Sequence, residues 1–290
     1  MLDTFAAAIT AAGFEPPYCE SDGKIHRFSS NGKRYDKAGW YVFWGDAGVF
    51  GDWRSGFQET WFPPEDEDAT REEKVARQAA AQQKLAKAKQ KAAKERTRKH
   101  GAARRKATRV WSKSVNPTQH PYLDRKQVQA HGIRQYGQFL IVPLVDETGG
   151  LWSLQSISPE GNKRFMPGGR MQGRFHLING SRDRIGIAEG YATAATVHEK
   201  TGDTLLVAFN AGNLEPVAVT ARAMYPAAAH LTIWGDNDQF TDGNPGVTKA
   251  HQAATVSRAN AVKIPDFSGY DLTTKPTDWN DLYLLERGNG

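Results

Sequence analysis

The last third of the chain alternates short apolar runs with helix-like segments, and this alternation constrains the fold more than any other feature. The predicted strands are 184–188, 204–209, 230–235 and 260–264. The predicted helices are 190–200, 215–225, 246–258 and a last one from about 278. Such alternation is typical of a parallel sheet with helices on its faces. In an open sheet of this kind, ligands bind at the carboxyl ends of the strands.

Acidic residues follow two of these predicted strands. Glu189 comes directly after Ile185–Ala188, and Asp236 and Asp238 come directly after His230–Trp234. Two carboxylates in a D-x-D spacing can point at one cation, and hard divalent cations such as Mg²⁺ prefer oxygen ligands. The sequence therefore predicts a metal site that serves phosphoryl chemistry.

Each of these acids also has an ordinary structural explanation. Glu189 lies where a helix dipole favours negative charge. Asp236 and Asp238 can be turn acids in a surface loop. A third acidic pair, Asp278 and Asp281, has the spacing of an N-cap residue and its N3 partner. Taken together, however, the three groups reinforce one another as parts of one site.

The motifs resemble the Toprim domain, which is shared by bacterial-type DNA primases, topoisomerases and some nucleases. That family has a Glu after its first strand and a D-x-D after a later one, as at Glu189, Asp236 and Asp238. The segments 184–194, 210–214 and 278–282 are similar to those of phage- and plasmid-type primases. The resemblance implies an α/β Toprim fold over 181–290, with a Rossmann-like parallel sheet and flanking helices.

The same resemblance implies roles for individual residues. Glu189, Asp236 and Asp238 are the implied catalytic acids. The implied ligands of Mg²⁺ or Mn²⁺ are these three acids with Asp278 and Asp281. Asn210, and Lys249 in the helix after the D-x-D loop, are expected to contact nucleotide or template, although a single helical lysine is usually solvated.

The resemblance extends upstream, into a predicted α+β subdomain over 111–180. The segments 120–123, 140–144, 154–157 and 161–165 are similar to the region that precedes Toprim in these primases. In that family a basic strand there faces nucleotide phosphates and template. The corresponding basic residues here are Lys163, Arg164, Arg170 and Arg174, and the alternative for them is a solvated hairpin.

The implied activity is synthesis of short RNA primers on a single-stranded DNA template from ribonucleoside triphosphates, by Mg²⁺-dependent nucleotidyl transfer. A separate replicative helicase is a partner that the resemblance allows. Two alternatives remain: a Toprim nuclease that cleaves DNA with the same acids, and a catalytically inactive accessory protein that binds single-stranded DNA.

The positive charge of the chain is concentrated in one segment. Residues 71–109 contain fifteen Lys and Arg and three Glu, a net charge of +12, whereas the whole chain carries +6. Composition predicts a helix over 69–110 that is polar on all sides and acts as a linker. We expect this helix to bind nucleic-acid phosphates non-specifically, with Lys87, Lys91, Arg104 and Arg105 as examples. The alternative is a solubilising spacer.

Residues 1–68 predict a small antiparallel β module rich in aromatic residues, after a helix over 2–12. Aromatic rings beside basic residues can bind single-stranded nucleic acid. The candidates are Lys24, Arg27, Trp40 and Trp53. The alternative is that the aromatic rings form the core of the sheet.

Two classes of protein are not expected. Cys19 is the only cysteine, so neither an intramolecular disulfide nor a multi-cysteine zinc ribbon can form, and no zinc is expected. The sequence has no apolar run long enough for a membrane span and no signal peptide at its start. We therefore expect a cytoplasmic protein without a membrane partner.

Overall fold

The computed structural model describes residues 2–33, 36–63, 70–228 and 230–288. The chain forms two compact units, residues 1–98 and residues 99–290. The helices are α1 (Leu2–Ala11), α2 (Arg71–Lys113), α3 (Pro121–Lys126), α4 (Tyr191–Thr201), α5 (Ala211–Met224), α6 (Pro245–Ser257) and α7 (Trp279–Gly288). The strands are β1 (His26–Phe28), β2 (Gly39–Phe43), β3 (Gly48–Asp52), β4 (Gln58–Trp61), β5 (Arg134–Tyr136), β6 (Phe139–Val145), β7 (Leu151–Ile157), β8 (Lys163–Phe165), β9 (His176–Ile178), β10 (Ser181–Ala188), β11 (Asp203–Val207), β12 (His230–Trp234) and β13 (Ala261–Lys263).

The first unit is built on an antiparallel sheet in the order β1-β2-β3-β4. Side chains alternate between the two faces of a strand, so each face has its own core. On one face Tyr41, Phe43 and Phe50 pack against Phe5 and Ile9 of α1. The opposite face has a second apolar cluster, which comprises Trp40, Val42, Val49 and Leu85. The predicted antiparallel module is present, although β4 was not foreseen. Its predicted limit at residue 68 lies outside the described residues.

Helix α2 is packed rather than free, contrary to the expectation of a linker that is polar on all sides. In the first unit Leu85 is buried against Trp40 and Val49. In the second unit Ala107 is buried against Ile141 and Leu154. The boundary between the units falls inside the helix. The expectation failed because much of the buried side of α2 is formed by alanine. A small side chain can be buried without producing a strong apolar pattern in a basic sequence.

Truncation of Leu85 tests whether α2 is part of the first unit. We expect Leu85→Ala to lower the free energy of unfolding by about 2–5 kcal/mol, because Leu85 is only 2% exposed and its loss leaves a cavity. Urea denaturation followed by tryptophan fluorescence measures the change. Val75→Ala is the matched control, since Val75 lies in the same helix and is 63% exposed. Equal effects of the two substitutions would show that Leu85 does not support the fold.

The second unit contains two sheets. The first is antiparallel, in the order β5-β6-β7-β8. The second has the order β13-β12-β10-β11-β9, in which β10, β11, β12 and β13 are parallel. Buried apolar residues on β10, β11 and β12 pack against the helices that alternate with these strands. The parallel sheet expected from the alternating pattern is therefore present.

One strand belongs to a different sheet from the one its sequence position implies. β9 (His176–Ile178) was expected within the upstream subdomain, but it pairs antiparallel with β11 at the edge of the second sheet. The pairing partner is more than 25 residues away, and strand pairing at that distance leaves no local signal in the sequence. Among the described residues, the structure has no helix long and apolar enough to cross a membrane.

Candidate active site

Three loops at the carboxyl ends of parallel strands carry the predicted acids or contact them. Glu189 follows β10, and Asp236 and Asp238 follow its neighbour β12. Asp278 precedes α7. The backbone amide of Asn237 donates to the carbonyl of Thr277 at 2.7 Å, which joins the D-x-D loop to the residue before Asp278. The parallel register of β10 and β12 explains why acids 47 positions apart in the sequence share one edge of the sheet.

Asn237, the middle residue of the D-x-D motif, holds the loop in place. Its side-chain amide donates to the carbonyl of Pro265 at 3.0 Å, and its side-chain oxygen accepts from Asn244 at 2.9 Å. Sequence reasoning gave this residue no role. The motif itself contains the only local signal, since an Asn between two metal-site carboxylates is well suited to bridging neighbouring backbone segments.

The acids are close enough to raise one another's pKa. Burial, and after it the carboxylate of Asp238, raises the pKa of Glu189. Burial, and after it Glu189 and Asp278, raises the pKa of Asp236 well above its ordinary value. Burial and then the carboxylate of Asp281 raise the pKa of Asp278. A group of partly buried carboxylates that repel one another is a site that binding of a cation would stabilise.

Lys163 is the positive charge that faces this group. It lies on β8, and its charge lowers the pKa of Glu189, Asp236 and Asp278. A Cβ atom placed on Gly190 would be 3.7 Å from the Lys163 Nζ atom, so the lysine approaches bare backbone beside Glu189. Phe165, on the same side of β8, packs edge-on against Phe209 with ring centroids 5.9 Å apart. The predicted basic strand therefore presents one lysine to the acids.

Asp238 is fixed by the first turn of α6. The backbone amide of Gly246 donates to Asp238 Oδ2 at 2.9 Å, where the positive end of the helix dipole favours the carboxylate. A side chain on Gly246 would lie 2.5 Å from the carbonyl oxygen of Asp236. Glycine at 246 therefore allows α6 to approach the D-x-D loop closely.

The last acidic pair forms the reciprocal cap that its spacing predicts. Asp278 Oδ1 accepts from the Asp281 amide at 2.9 Å, and Asp281 Oδ2 accepts from the Thr277 amide at 3.1 Å. The other oxygen of Asp281 accepts from Lys126 at 3.0 Å. Both oxygens of Asp281 are thus occupied within the protein, so the structure gives Asp281 a capping role, and its predicted role as a metal ligand remains a prediction.

The carboxylate oxygens of these acids are of the kind that a divalent cation binds. They are not gathered tightly, because no three of these acids have ligand atoms within 4.8 Å of one another among the residues that the structure describes. Asp236 Oδ1 is buried and accepts no hydrogen bond from any residue that the structure describes. Asp238 has a second oxygen that Gly246 does not use, and Glu189, whose carboxylate accepts from the Ala211 amide, is close enough to Asp238 for the two charges to repel. The donor set consists of carboxylate oxygens, which suits Mg²⁺ or Mn²⁺.

Substitution of Asp236 tests this electrostatic picture without any activity assay. Because the pKa of Asp236 is higher in the folded than in the unfolded state, its charge destabilises the fold above the unfolded-state pKa, and this penalty fades as the pH falls. In EDTA at pH 7 we therefore expect Asp236→Asn to raise the melting temperature by roughly 2–4 °C. The gain shrinks towards pH 4.

The matched control is Asp242→Asn, an exposed acid in the same loop, which should leave the melting temperature unchanged. Differential scanning calorimetry from pH 4 to 8 measures both variants. An Asp236→Asn protein that melts at the wild-type temperature across this range would contradict the proposed charge repulsion.

The remaining predicted nucleotide contacts lie in different places. Arg164 is on the opposite side of β8 from Lys163, because neighbouring residues of a strand point to opposite faces. Lys249 is exposed and donates to Gln252 at 2.8 Å. Asn210 caps α5, where its side-chain oxygen accepts from the Asn213 amide at 3.0 Å. Of these three, Asn210 is next to an acid: the Phe209 amide before it donates to the Glu189 carbonyl at 2.7 Å, and the Ala211 amide after it donates to the Glu189 carboxylate. The roles of all three remain predictions.

Two buried residues near the site were not singled out by the sequence analysis. Asn213 is buried and donates to the carbonyls of Arg174 and Ala208, both at 2.9 Å. Tyr122 is buried, its hydroxyl has no hydrogen-bond partner among the described residues, and the charge of Asp278 contributes to its raised pKa. The His120-Pro121 pair could have indicated Tyr122 from the sequence. The His120 side chain accepts a hydrogen bond from the Tyr122 amide and so caps the start of α3.

Three predicted basic residues meet at one tryptophan, which we call the Trp152 cluster. The guanidinium carbon atoms of Arg104, Arg170 and Arg174 lie 4.7, 5.2 and 5.1 Å from the Trp152 ring centroid. Arg174 is buried, and two acids lie near it. Glu147 is 3.7 Å away, and Asp146, which also raises the pKa of Arg174, accepts from Trp152 Nε1 at 2.6 Å. Three guanidinium groups with two acidic neighbours leave a net positive charge that can attract anions. The sequence analysis named the arginines but not Trp152, because only the fold brings this ring together with arginines from other segments.

The predicted nucleic-acid contacts of the first unit differ in exposure. Trp40 is buried, which corrects the expectation that its ring is available to a base, and Trp53 is half exposed. Lys24 is paired with Asp22 at 2.7 Å. Lys87 and Lys91 are exposed on α2, as is Arg105 on the part of α2 in the second unit.

Comparison with known proteins agrees with the geometry of the second unit. Residues 184–289 match the Toprim domain family, so the chain contains a Toprim domain. Over 284 residues the chain is 35% identical to the DNA primase TraC of Escherichia coli, which covers 90% of this chain and 25% of that protein. Another Escherichia coli DNA primase TraC is 38% identical over 154 residues, covering 49% of this chain and 11% of that protein.

The chain therefore spans about a quarter of the length of the first of these primases. Among solved structures, the chain is similar to the primase fragment of the bacteriophage T7 primase-helicase protein, with a TM-score of 0.42 and 15% sequence identity. That similarity covers 61% of this chain and 77% of the fragment.

Proposed function

We propose that this chain is a DNA primase, which joins ribonucleotides into short RNA primers on a single-stranded DNA template. The observation that carries the proposal is the group formed by Glu189, Asp236, Asp238 and Asp278 in a Toprim domain, faced by Lys163 from the preceding sheet. The 35% identity with a DNA primase over 90% of the chain supports the same activity.

In the proposed site, Glu189, Asp236 and Asp238 hold one or two Mg²⁺ ions, and Asp278 adds a further negative charge. Mg²⁺ bound there supplies positive charge that offsets the negative charge of the transferred phosphoryl group. Asn237 and Gly246 keep the two aspartates in place. Burial raises the pKa of Glu189, so this carboxyl takes up a proton more readily than a free glutamate does.

The cationic side chains contact the phosphates in this proposal. Lys163 lies beside the acids, so it is placed to bind the phosphates of a triphosphate next to the metal. The Trp152 cluster, with Arg104, Arg170 and Arg174, offers a second anion site in the same unit, suited to the template backbone. A separate replicative helicase remains a proposed partner.

Incorporation of labelled ribonucleotides on single-stranded DNA tests the proposal. The full chain is incubated with template, the four ribonucleoside triphosphates and Mg²⁺, and products are separated on denaturing gels. We expect short RNA products with Mg²⁺ and none in EDTA. Cleavage of the DNA without ribonucleotide incorporation would replace the proposal with a Toprim nuclease. Binding of DNA with neither product would indicate an inactive accessory protein.

A further inference from the structure

Trp53 and Trp40 form a stacked pair on one face of the first unit's sheet. Their ring centroids are 5.0 Å apart and their planes differ by 26°. Trp40 is 2% exposed and is the inner, buried ring of the pair, whereas Trp53 is 47% exposed and is the outer ring. An exposed tryptophan stacked on a buried one is a flat apolar surface open to solvent, in a part of the chain that the proposed catalytic site does not use.

Neighbouring strands of the sheet hold the two rings in position. Trp40 is paired in register with Arg27 on β1 and with Gly51 on β3. A Cβ atom on Gly51 would overlap the Phe57 carbonyl oxygen and lie 3.1 Å from the Trp40 ring, so glycine there allows both the Phe57 backbone and the indole to approach β3. The Trp53 amide donates to the carbonyl of Ala38 at 3.0 Å, which fixes the backbone from which the outer ring projects. The two rings are therefore held in position before any ligand binds, so binding requires little additional ordering of the protein.

Two cations flank the stacked rings. The Lys89 Nζ atom lies 5.1 Å from the Trp40 ring centroid and 5.5 Å from that of Trp53. The Arg27 guanidinium lies 5.8 Å from the Trp53 centroid. Within the described residues neither cation has an ion pair with a carboxylate: Lys89 donates to the neutral Gln58, and Arg27 donates to the carbonyl of Lys37. Both positive charges thus remain available to an anion beside the exposed ring.

We propose that this platform, defined by Trp53, Trp40, Arg27 and Lys89, binds single-stranded DNA by stacking one base on Trp53 and contacting the flanking phosphates with Arg27 and Lys89. Stacking on an aromatic face together with cations that follow the backbone is how single strands are bound without base specificity. Duplex DNA cannot use the platform, because its bases are stacked on one another. The proposal does not rest on primase activity in the second unit.

Photo-cross-linking and binding of the full chain test the platform directly. The probe is a fluorescent 20-nucleotide oligothymidylate, with a second version carrying one 5-iododeoxyuridine. Measurements are made in EDTA, so that the metal site does not contribute. We expect a cross-link at Trp53 and a roughly 5- to 100-fold weaker Kd for Trp53→Ala. Trp53→Phe, which retains an aromatic face, should recover most of the affinity.

Matched variants distinguish stacking from other causes. Tyr18→Ala removes an aromatic ring of the same unit that is 80% exposed, and it should leave the Kd unchanged. Lys89→Ala should weaken binding and lower its salt dependence. Asp236→Asn should bind as the wild type does, so loss of primer synthesis and loss of the platform are distinguishable.

Three results would overturn the proposal. The first is an unchanged Kd for a folded Trp53→Ala protein, and the second is cross-linking that maps away from the platform. The third is equal weakening of single-stranded and duplex DNA binding in Trp53→Ala, which would indicate general electrostatics. The exposed platform would then be better explained as a contact surface for a protein.

Discussion

Asp236→Asn is expected to lower the rate of primer synthesis by about 10²–10³-fold, the usual cost of removing one preorganised electrostatic group from an active site. The substitution keeps the shape of the side chain but removes its negative charge, and the buried oxygen Oδ1 accepts no hydrogen bond from the residues that the structure describes. Ribonucleotide incorporation on a single-stranded template, measured at saturating Mg²⁺, gives the rate.

The same variant should melt at a higher temperature than the wild type in EDTA, because it relieves repulsion from Glu189 and Asp278. A protein that gains stability and loses activity cannot have lost activity through unfolding, and such a trade-off is typical of functional sites. Asp242→Asn should retain the wild-type rate. Full activity of Asp236→Asn would contradict the assignment of the metal site.

Gly246→Ala is expected to destabilise the protein by about 1–3 kcal/mol and to slow primer synthesis by roughly 10- to 100-fold. The added methyl group would lie 2.5 Å from the backbone oxygen of Asp236 and 2.9 Å from Asp238 Oδ2. Backbone cannot yield as a flexible side chain does, so α6 has to move away from the D-x-D loop. The hydrogen bond from Gly246 to Asp238 then lengthens and the two aspartates lose their fixed positions.

Gly101→Ala is the matched control, since it makes the same change inside another helix. Its nearest contact would be an Arg105 side-chain nitrogen at 3.7 Å, so the substitution should stabilise the protein by about 0.5–1 kcal/mol. Urea denaturation and the incorporation assay measure both variants. Effects of the same sign for the two glycines would show that close approach of α6 to the acids is unimportant.

The parts of the fold that the sequence predicted are those governed by local patterns. The strands and helices of the Toprim domain follow from alternating apolar runs and from the capping residue Asp278. The position of Glu189 and of the D-x-D pair at strand ends follows from the same alternation. Family resemblance then implied their chemistry, and the match of residues 184–289 confirms the Toprim domain.

The features that the sequence could not predict depend on contacts between distant segments. Trp152 was overlooked because the arginines around it come from α2 and from the segment between β8 and β9. Lys163 and Arg164 were predicted together, but the pleat of β8 sends them to opposite faces. Helix α2 was expected to be free, and only packing showed that Leu85 and Ala107 are buried.

The sequence by itself determined which acids this protein has and that they follow parallel strands, because hydrophobic periodicity and strand-end position are local properties of the chain. Only the tertiary structure decided which charges face those acids, and that Trp40 is buried whereas Trp53 is exposed. Those outcomes depend on strand pairing and helix packing between residues far apart in sequence, where burial and electrostatic energies are set by the neighbours that the fold supplies.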